Sequence, residues 1–207
     1  MRSLENPENY VILPASATNP RDLFVSMVRT NHSLTWYCAH KTVNRKGAFM
    51  PTPRQFIDFL ELLKSGQPVY DGRGTLVERS RIESVLNDVS TKRGRWRAEW
   101  LDTYFIKTNG VWTINYEHRT RGDFVQSTRS EPLEACLMED CYVNLSIVNR
   151  QGLPATKSIN EDVYFCSPNN SGTVIGFGVF SNGGFINCNW NPHDSSVGLG
   201  VRKFFEG

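Results

Sequence analysis

Histidine spacing is the first test for a metal or acid–base site, and in this chain it supports neither. The four histidines are His32, His40, His118 and His193, and no two of them stand in an HxH, HxxxH or HExxH pattern. Metal-binding histidines usually stand at such spacings, because one strand or helix face then presents both rings. The spacing therefore predicts no metal site, and no motif in the chain requires a cofactor.

The five cysteines give no zinc motif either. They are Cys38, Cys136, Cys141, Cys166 and Cys188. A structural zinc site needs close Cys or His pairs, and the chain has no CxxC. Cys166 and Cys188 could pair across a hairpin, but we expect buried free thiols.

Motifs for nucleophilic or phosphate chemistry are absent as well. The chain has no GxSxG, Walker loop or GxGxxG, and only the fold can place a base beside a Ser or Cys nucleophile. Carboxylates stand next to each other at Glu139-Asp140 and Glu161-Asp162. On a strand such neighbours point to opposite faces, so we expect them on the surface. These patterns do not predict an enzyme.

The most unusual segment runs from Val163 to His193, where 31 residues include no Asp, Glu, Lys or Arg. At the chain average of 21% charged residues, about six or seven would be expected there. Gly and Asn recur between bulky side chains such as Phe177, Phe185 and Trp190. That mixture is typical of a surface that binds a partner on a backbone held by turns.

Length and composition favour one globular domain spanning residues 1–207. Hydrophobic residues make up 39% and aromatic residues 12%, enough for a core, and the net charge is only +2. Met1 to Pro7 is polar and is no signal peptide, and no run of about 18 apolar residues exists to span a membrane. Localisation stays open: synthesis in a cytoplasm fits, with display on a virion or cell surface possible.

One basic cluster could bind nucleic acid. It comprises Lys92, Arg93, Arg95 and Arg97, with Arg79 and Arg81 upstream and Trp96, Trp100 and Trp112 nearby. Arginines interleaved with aromatic rings can bind phosphates and stack bases. A solvated loop beside core tryptophans is the more common outcome, so we regard nucleic acid as an unlikely partner.

Two amphipathic helices are predicted in the first half. The first follows Thr52-Pro53-Arg54-Gln55, a capping box, and carries the apolar stripe Phe56, Phe59, Leu60 and Leu63 before Gly66. The second starts at Ser80-Arg81-Ile82-Glu83 and carries Ile82, Val85, Leu86 and Val89. Upstream we predict a strand at Tyr10–Pro14, a helix from Thr18-Asn19-Pro20 along Leu23, Phe24, Met27 and Val28, and a strand at Leu34–Cys38.

The second half has the pattern of a sheet. Trp96–Ile106 and Val111–Glu117 flank Asn109-Gly110, a strong hairpin signal. Further short apolar runs are Leu133–Leu137, Tyr142–Val148, Val163–Cys166, Ile175–Phe180 and Val201–Phe205. The sequence therefore predicts an α+β fold with a mainly helical half at about 1–94. A β-rich, loop-rich and mainly antiparallel half follows at about 95–207.

Two motifs resemble those of C-type-lectin-fold domains in the branch related to formylglycine-generating enzymes. The end of the chain, Asn187-Cys188-Asn189-Trp190-Asn191-Pro192 followed by Gly198-Leu199-Gly200-Val201-Arg202, is similar to the closing strand of those domains. Met50-Pro51-Thr52-Pro53-Arg54-Gln55-Phe56 is similar to their helix start. The resemblance implies a C-type-lectin-like fold in which Trp190 and Arg202 belong to the scaffold, with Arg202 holding backbone carbonyls or a carboxylate.

Within that branch, the variable proteins of diversity-generating retroelements fit the unusual segment. In those systems adenines are mutated, so an Asn codon gives many residues but not Lys, Glu, Gln, Met or Trp. Thr173 to Ser196 contains none of the first four, and its one Trp, Trp190, lies in the Asn-Trp-Asn-Pro frame. The resemblance implies a sequence-variable C-terminal surface that binds a protein or surface glycan. Its ligand-facing residues would be Thr173, Val174, Ile175, Phe177, Val179, Phe185, Asn187, Asn189, His193 and Ser196. The alternation at Ile175, Phe177 and Val179 also suits a buried strand face.

Alternatives remain open. A virion structural or attachment protein with a fixed binding face would use the same fold, and such a chain could form an oligomer. A formylglycine-generating type of enzyme would need Cys166 or Cys188 exposed in a cleft. The calcium-binding sugar motifs of true lectins are absent, and Asn191-Pro192-His193-Asp194 does not replace them, so calcium-mediated glycan binding is not implied.

Overall fold

The computed structural model describes residues 4–91, 96–159, 163–180 and 183–207. The described residues form an α+β fold, as the sequence predicted. Its helices are α1 (Trp36–Arg45), α2 (Pro53–Lys64) and α3 (Arg79–Ser90), preceded by a short 3₁₀ turn at Pro7–Asn9. Its strands are β1 (Tyr10–Leu13), β2 (Leu23–Thr30), β3 (Arg97–Thr108), β4 (Val111–Arg121), β5 (Phe124–Pro132), β6 (Cys141–Val143), β7 (Val163–Cys166), β8 (Thr173–Phe180), β9 (Gly183–Trp190) and β10 (Leu199–Glu206).

The strands form one open sheet in the order β1-β2-β10-β3-β8-β9-β7-β6, and the β4–β5 hairpin extends from β3. Pairing is mostly antiparallel; β10 with β3 and β7 with β9 are the parallel pairs in the described part. Because β10 pairs with β2, the end of the chain lies in the sheet beside its beginning.

The capping box of α2 is confirmed. The hydroxyl of Thr52 accepts a hydrogen bond from the backbone N–H of Gln55, and the side chain of Gln55 accepts from the backbone N–H of Thr52. The stripe Phe56, Phe59, Leu60 and Leu63 is buried, and Gly66 follows the helix with a left-handed φ of 72°.

The second amphipathic helix also forms, but its predicted start is wrong. It begins at Arg79 after Glu78, without a side-chain cap at that residue. The side chains of Ile82, Val85 and Val89 are buried as predicted, and that of Leu86 is partly buried. The apolar stripe therefore predicted the existence of this helix correctly, whereas the proposed cap did not predict its first residue.

Of the three remaining N-terminal predictions, the strand at Tyr10–Pro14 is confirmed as β1, and the other two are wrong. Instead of a helix from Thr18, the chain forms β2, because Leu23, Val25 and Met27 alternate into the core at strand period. Instead of a strand at Leu34–Cys38, α1 begins at Trp36, and the hydroxyl of Thr35 accepts from the backbone N–H of Cys38 at 3.2 Å. The described part of the first half therefore has three helices and two strands, as many of each as predicted, but one helix and one strand have exchanged places.

Most predicted strands of the second half are present. Asn109 and Gly110 have φ values of 50° and 83° at the turn between β3 and β4, confirming the hairpin. The runs at Val163–Cys166, Ile175–Phe180 and Val201–Phe205 are strands. Within the predicted run Tyr142–Val148 only residues 142 and 143 belong to a strand, and Leu133–Leu137 forms none. Strands β5 and β9 were not predicted, because their charged residues and glycines obscure the period-two pattern.

Apolar side chains cover the sheet on both faces. One cluster includes Ile175 and Phe177 of β8 and the buried stripes of α2 and α3. A second cluster includes Trp36 of α1, Trp100, Val174 and Phe185. None of the helices in the described ranges is long and apolar enough to cross a membrane.

Arg202 is a buried anchor of the scaffold, as the resemblance implied. Its side chain has no solvent exposure, and its guanidinium donates to both carboxylate oxygens of Glu99 at 3.0 and 2.7 Å. It also donates to the carbonyl oxygen of Ser26 at 2.8 Å. The pair thereby fastens β10 to β3 and β2.

Candidate ligand-binding face

Six of the ten residues predicted to face a ligand lie in the interior. Thr173, Val174, Ile175, Phe177, Val179 and Phe185 are each at most 8% exposed. Ile175, Phe177 and Val179 point into the first apolar cluster, and Val174 and Phe185 belong to the second. Five of these side chains belong to β8, which is covered on both faces, and they cannot form a surface for a macromolecule. Phe185 of β9 is buried as well, but it lines a surface cavity together with Phe180, which stacks on it. That part of the prediction is corrected: the six are strand core.

The glycines of β8 explain how large rings lie against that strand. A Cβ on Gly176 would lie 1.7 Å from the ring of Trp190, and one on Gly178 would lie 2.3 Å from the ring of Phe185. The ring of Trp190 also meets that of Trp100 edge-on, with centroids 5.1 Å apart. Trp190 is therefore scaffold, and its ring packs on β8.

The other four predicted residues keep some exposure, but they do not converge. Asn187 lines a surface cavity, whereas His193 and Ser196 lie in the turn between β9 and β10. The ring of His193 lies 5.2 Å from that of Tyr37 on α1. The side chain of Asn189 binds the preceding loop, donating to the carbonyl of Ser167 at 2.5 Å. Only Asn187 thus belongs to a concave site.

That cavity has a volume of about 430 Å³ and lies over β6, β7 and β9. Three of its walls are exposed aromatic side chains: Tyr142 is 46% exposed, Tyr164 37% and Phe180 47%. The two tyrosine rings meet edge-on at 5.3 Å, and Phe180 stacks on Phe185 at 4.2 Å. We define the aromatic face by its lining residues Tyr142, Tyr164, Cys166, Phe180, Gly183, Gly184, Phe185 and Asn187.

The aromatic face has the chemistry of a binding site. Exposed rings lose little conformational entropy when they bury apolar area, and the Asn187 amide and tyrosine hydroxyls supply directional hydrogen bonds. Desolvation, and after it the charge of Asp140, raise the pKa of Tyr164 above the ordinary tyrosine value, at which the hydroxyl is already protonated at neutral pH. The face can therefore offer both donors and acceptors to a ligand.

Sequence reasoning missed Tyr142, Tyr164 and Phe180. Tyr164 and Phe180 do lie in the segment without charges, and exposed Tyr164 precedes buried Phe165, the alternation of a half-buried strand. That signal could have nominated Tyr164. Tyr142 could not be found, because its pairing with Tyr164 joins β6 and β7 across residues distant in sequence.

The cysteines are free thiols, so the pair that Cys166 and Cys188 might have formed is absent. Cys188 is buried and Cys166 lines the cavity. Burial raises the pKa of both thiols, well above its usual value for Cys188, and Asp140 raises that of Cys166 further. Both sulfurs are thereby held in the weakly nucleophilic thiol form. Among the described residues, His40, Asp102 and His118 lie close enough together to share a metal ion, and none of the three belongs to the aromatic face.

The basic cluster is only partly visible. Lys92, Arg93 and Arg95, like Glu161 and Asp162, lie outside the described residues. Arg97 is 8% exposed and donates to both carboxylate oxygens of Asp88 at 2.6 and 2.9 Å, so its guanidinium is occupied within the protein. Glu139 and Asp140 are exposed as predicted.

Comparison of the chain with protein-family models, with curated proteins and with solved structures finds no match. Fold and site geometry therefore carry the functional argument.

Proposed function

We propose that this protein binds a protein or surface glycan through the aromatic face of its C-terminal half. The observation that carries the proposal is the cavity in which three exposed aromatic side chains converge on Asn187. A folded chain gains nothing in stability from leaving such rings in water, whereas aromatic side chains in pockets dominate binding energies. The proposed mechanism is contact rather than catalysis.

The proposal includes a C-type-lectin-like fold. In its support, the closing motif forms β9, a turn and β10, and β10 returns to pair with β2. The helix-start motif forms the capping box of α2. The scaffold roles of Trp190 and Arg202 also agree with that resemblance, because both side chains pack into the fold.

We further propose that the surface is diversified, as in retroelement variable proteins. A diversified position must accept many side chains without loss of folding, and only exposed positions do so. Among the nominated residues, His193 is exposed and Asn187, Asn189 and Ser196 are half-buried, so these four come nearer the condition than the six buried ones. Asn189 meets it least, because its side chain also donates to the carbonyl of Ser167.

Sequencing the DNA around the gene tests this diversification. We expect a second, near-identical copy of the stretch encoding Thr173 to Ser196 beside a reverse transcriptase, differing only where the copy has adenines. The differences should fall on the codons of Asn187, Asn189, His193 and Ser196 and spare those of the buried core. Differences at core codons would contradict the assignment. If no second copy exists, the protein is instead a fixed-specificity binding or virion attachment protein.

A further inference from the structure

A buried group of three polar side chains lies away from the aromatic face, where β3 and β4 separate. His40 comes from α1, Asp102 from β3 and His118 from β4. The pairing of β3 with β8 shifts register between Trp100 and Tyr104, and the backbone N–H of Asp102 donates to the carbonyl of Pro51 at 2.7 Å. The irregular backbone thus directs a carboxylate into the space under α1.

The donor atoms of the three side chains converge. The Nδ1 of His118 lies 2.5 Å from Oδ1 of Asp102, and the backbone N–H of His118 donates to Oδ2 at 2.9 Å. The Nε2 of His40 lies 3.5 Å from the same Oδ1. One ligand atom from each residue falls within 4.8 Å of the other two, and the residues are 0%, 1% and 5% exposed.

His40 is the unexplained member of the group. Neither of its ring nitrogens has a hydrogen-bond partner, although the side chain is fully buried. A buried polar atom left unsatisfied costs about 1–3 kcal/mol, so such atoms usually meet a ligand or water.

Trp36 fixes both imidazoles in place. Its ring meets that of His40 edge-on at 4.2 Å and that of His118 at 4.8 Å, and its indole N–H donates to the carbonyl of Leu101 at 2.8 Å. Packing of this kind restricts both rings. His118 Nδ1 and Asp102 Oδ1 share a hydrogen bond, so the two atoms would have to move apart slightly to hold one ion between them.

We propose that His40, Asp102 and His118 form a binding site for a divalent transition-metal ion of the zinc type. Two imidazoles and one carboxylate suit Zn²⁺, whereas Ca²⁺ and Mg²⁺ prefer all-oxygen sites. A cavity of about 400 Å³ lies beside the group and is lined by Asp102 together with Thr52, Gln55, Glu117 and Arg119.

The expected role of the ion is structural. It would join α1 to β3 and β4, because His40 lies on α1, Asp102 on β3 and His118 on β4. The site is independent of the proposed ligand-binding function, since none of its residues lines the aromatic face.

Zinc binding by the full chain without an affinity tag tests the proposal. Protein dialysed against a chelator is titrated with ZnCl₂ in a calorimeter, and its thermal unfolding is followed with and without the ion. We expect one Zn²⁺ per chain and a rise in Tm of about 5–10 °C when free Zn²⁺ exceeds Kd a hundredfold. MgCl₂ should give no such shift. Wild-type protein that takes up no stoichiometric Zn²⁺ overturns the proposal.

Matched histidine variants locate the ion. His40→Gln should weaken Zn²⁺ binding by about a hundredfold or more, because a ligand to the metal is lost. His193→Gln removes an exposed histidine outside the group and should bind as wild type does. Equal affinity of His40→Gln and wild type would place the ion elsewhere and refute the assignment. Should His40→Gln fail to fold, the visible spectrum of the Co²⁺-loaded wild type decides: bands of tetrahedral nitrogen and oxygen coordination support the site, and a hexa-aquo spectrum refutes it.

Discussion

At the scale of single residues, the molecule separates side chains that hold the fold from side chains left free for contact. Arg202 is buried with all its polar contacts inside the protein, and Trp190 lies against the glycine backbone of β8. Tyr142, Tyr164 and Phe180 are large, apolar and exposed together. The resemblance to C-type-lectin-fold domains assigned Arg202 to the scaffold, and its burial with Glu99 agrees with that role, because a buried charged side chain needs a partner.

Removal of Arg202 should therefore be severe. Arg202→Ala leaves the carboxylate of Glu99, itself 2% exposed, without its bidentate partner, and we expect a loss of about 3–5 kcal/mol in the free energy of unfolding. Arg21→Ala is the control, because that side chain is 69% exposed and its pair with Glu206 should contribute at most about 1 kcal/mol. Urea denaturation measures both. Similar losses for the two variants would show that the buried pair is not an anchor.

At the scale of elements, local patterns were predicted well and competing patterns were not. The capping box before α2 and the Asn109-Gly110 turn are determined by a few adjacent residues, and both are confirmed. Residues 23–28 satisfy both a helical stripe and a strand alternation, so only tertiary pairing of β2 with β1 and β10 decides the outcome. The segment without charged residues, Val163 to His193, contains all of the aromatic face except Tyr142. The absence of charge could not, however, separate the inward-facing from the outward-facing side chains of β8 and β9.

The packing of β9 on β8 depends on Gly176. Gly176→Ala would place a methyl group within the ring of Trp190, so we expect a loss of about 1–3 kcal/mol in stability through forced repacking. In a Trp190→Ala background the same substitution should cost little. Gly184→Ala serves as the control, since its new Cβ would lie 3.3 Å from one methyl group of Val163. Thermal unfolding of the four variants gives the coupling energy; additive losses would show that the two sites do not interact.

At the scale of the whole molecule, the fold assembles the aromatic face from segments distant in the chain. Tyr142 arrives on β6, Tyr164 on β7, and Phe185 with Asn187 on β9, joined by the β6–β7 and β7–β9 pairings. The sequence nominated the C-terminal half, where the aromatic face lies, but it selected mainly core side chains there, because strand order and strand facing are long-range properties. The buried group of His40, Asp102 and His118 was missed for the same reason: its members come from three elements.

The most direct test of the central claim is the affinity of the aromatic face for a ligand. Labelled wild-type protein is applied to an array carrying oligosaccharides and cell-surface proteins, and binding to the strongest spot is compared among variants. The double variant Tyr142→Ala/Tyr164→Ala should bind at least about tenfold more weakly, as loss of aromatic anchors predicts. Tyr70→Ala, which removes a tyrosine of the same 46% exposure outside the face, should bind as wild type does. No bound spot, or equal binding by all three proteins, would contradict the account.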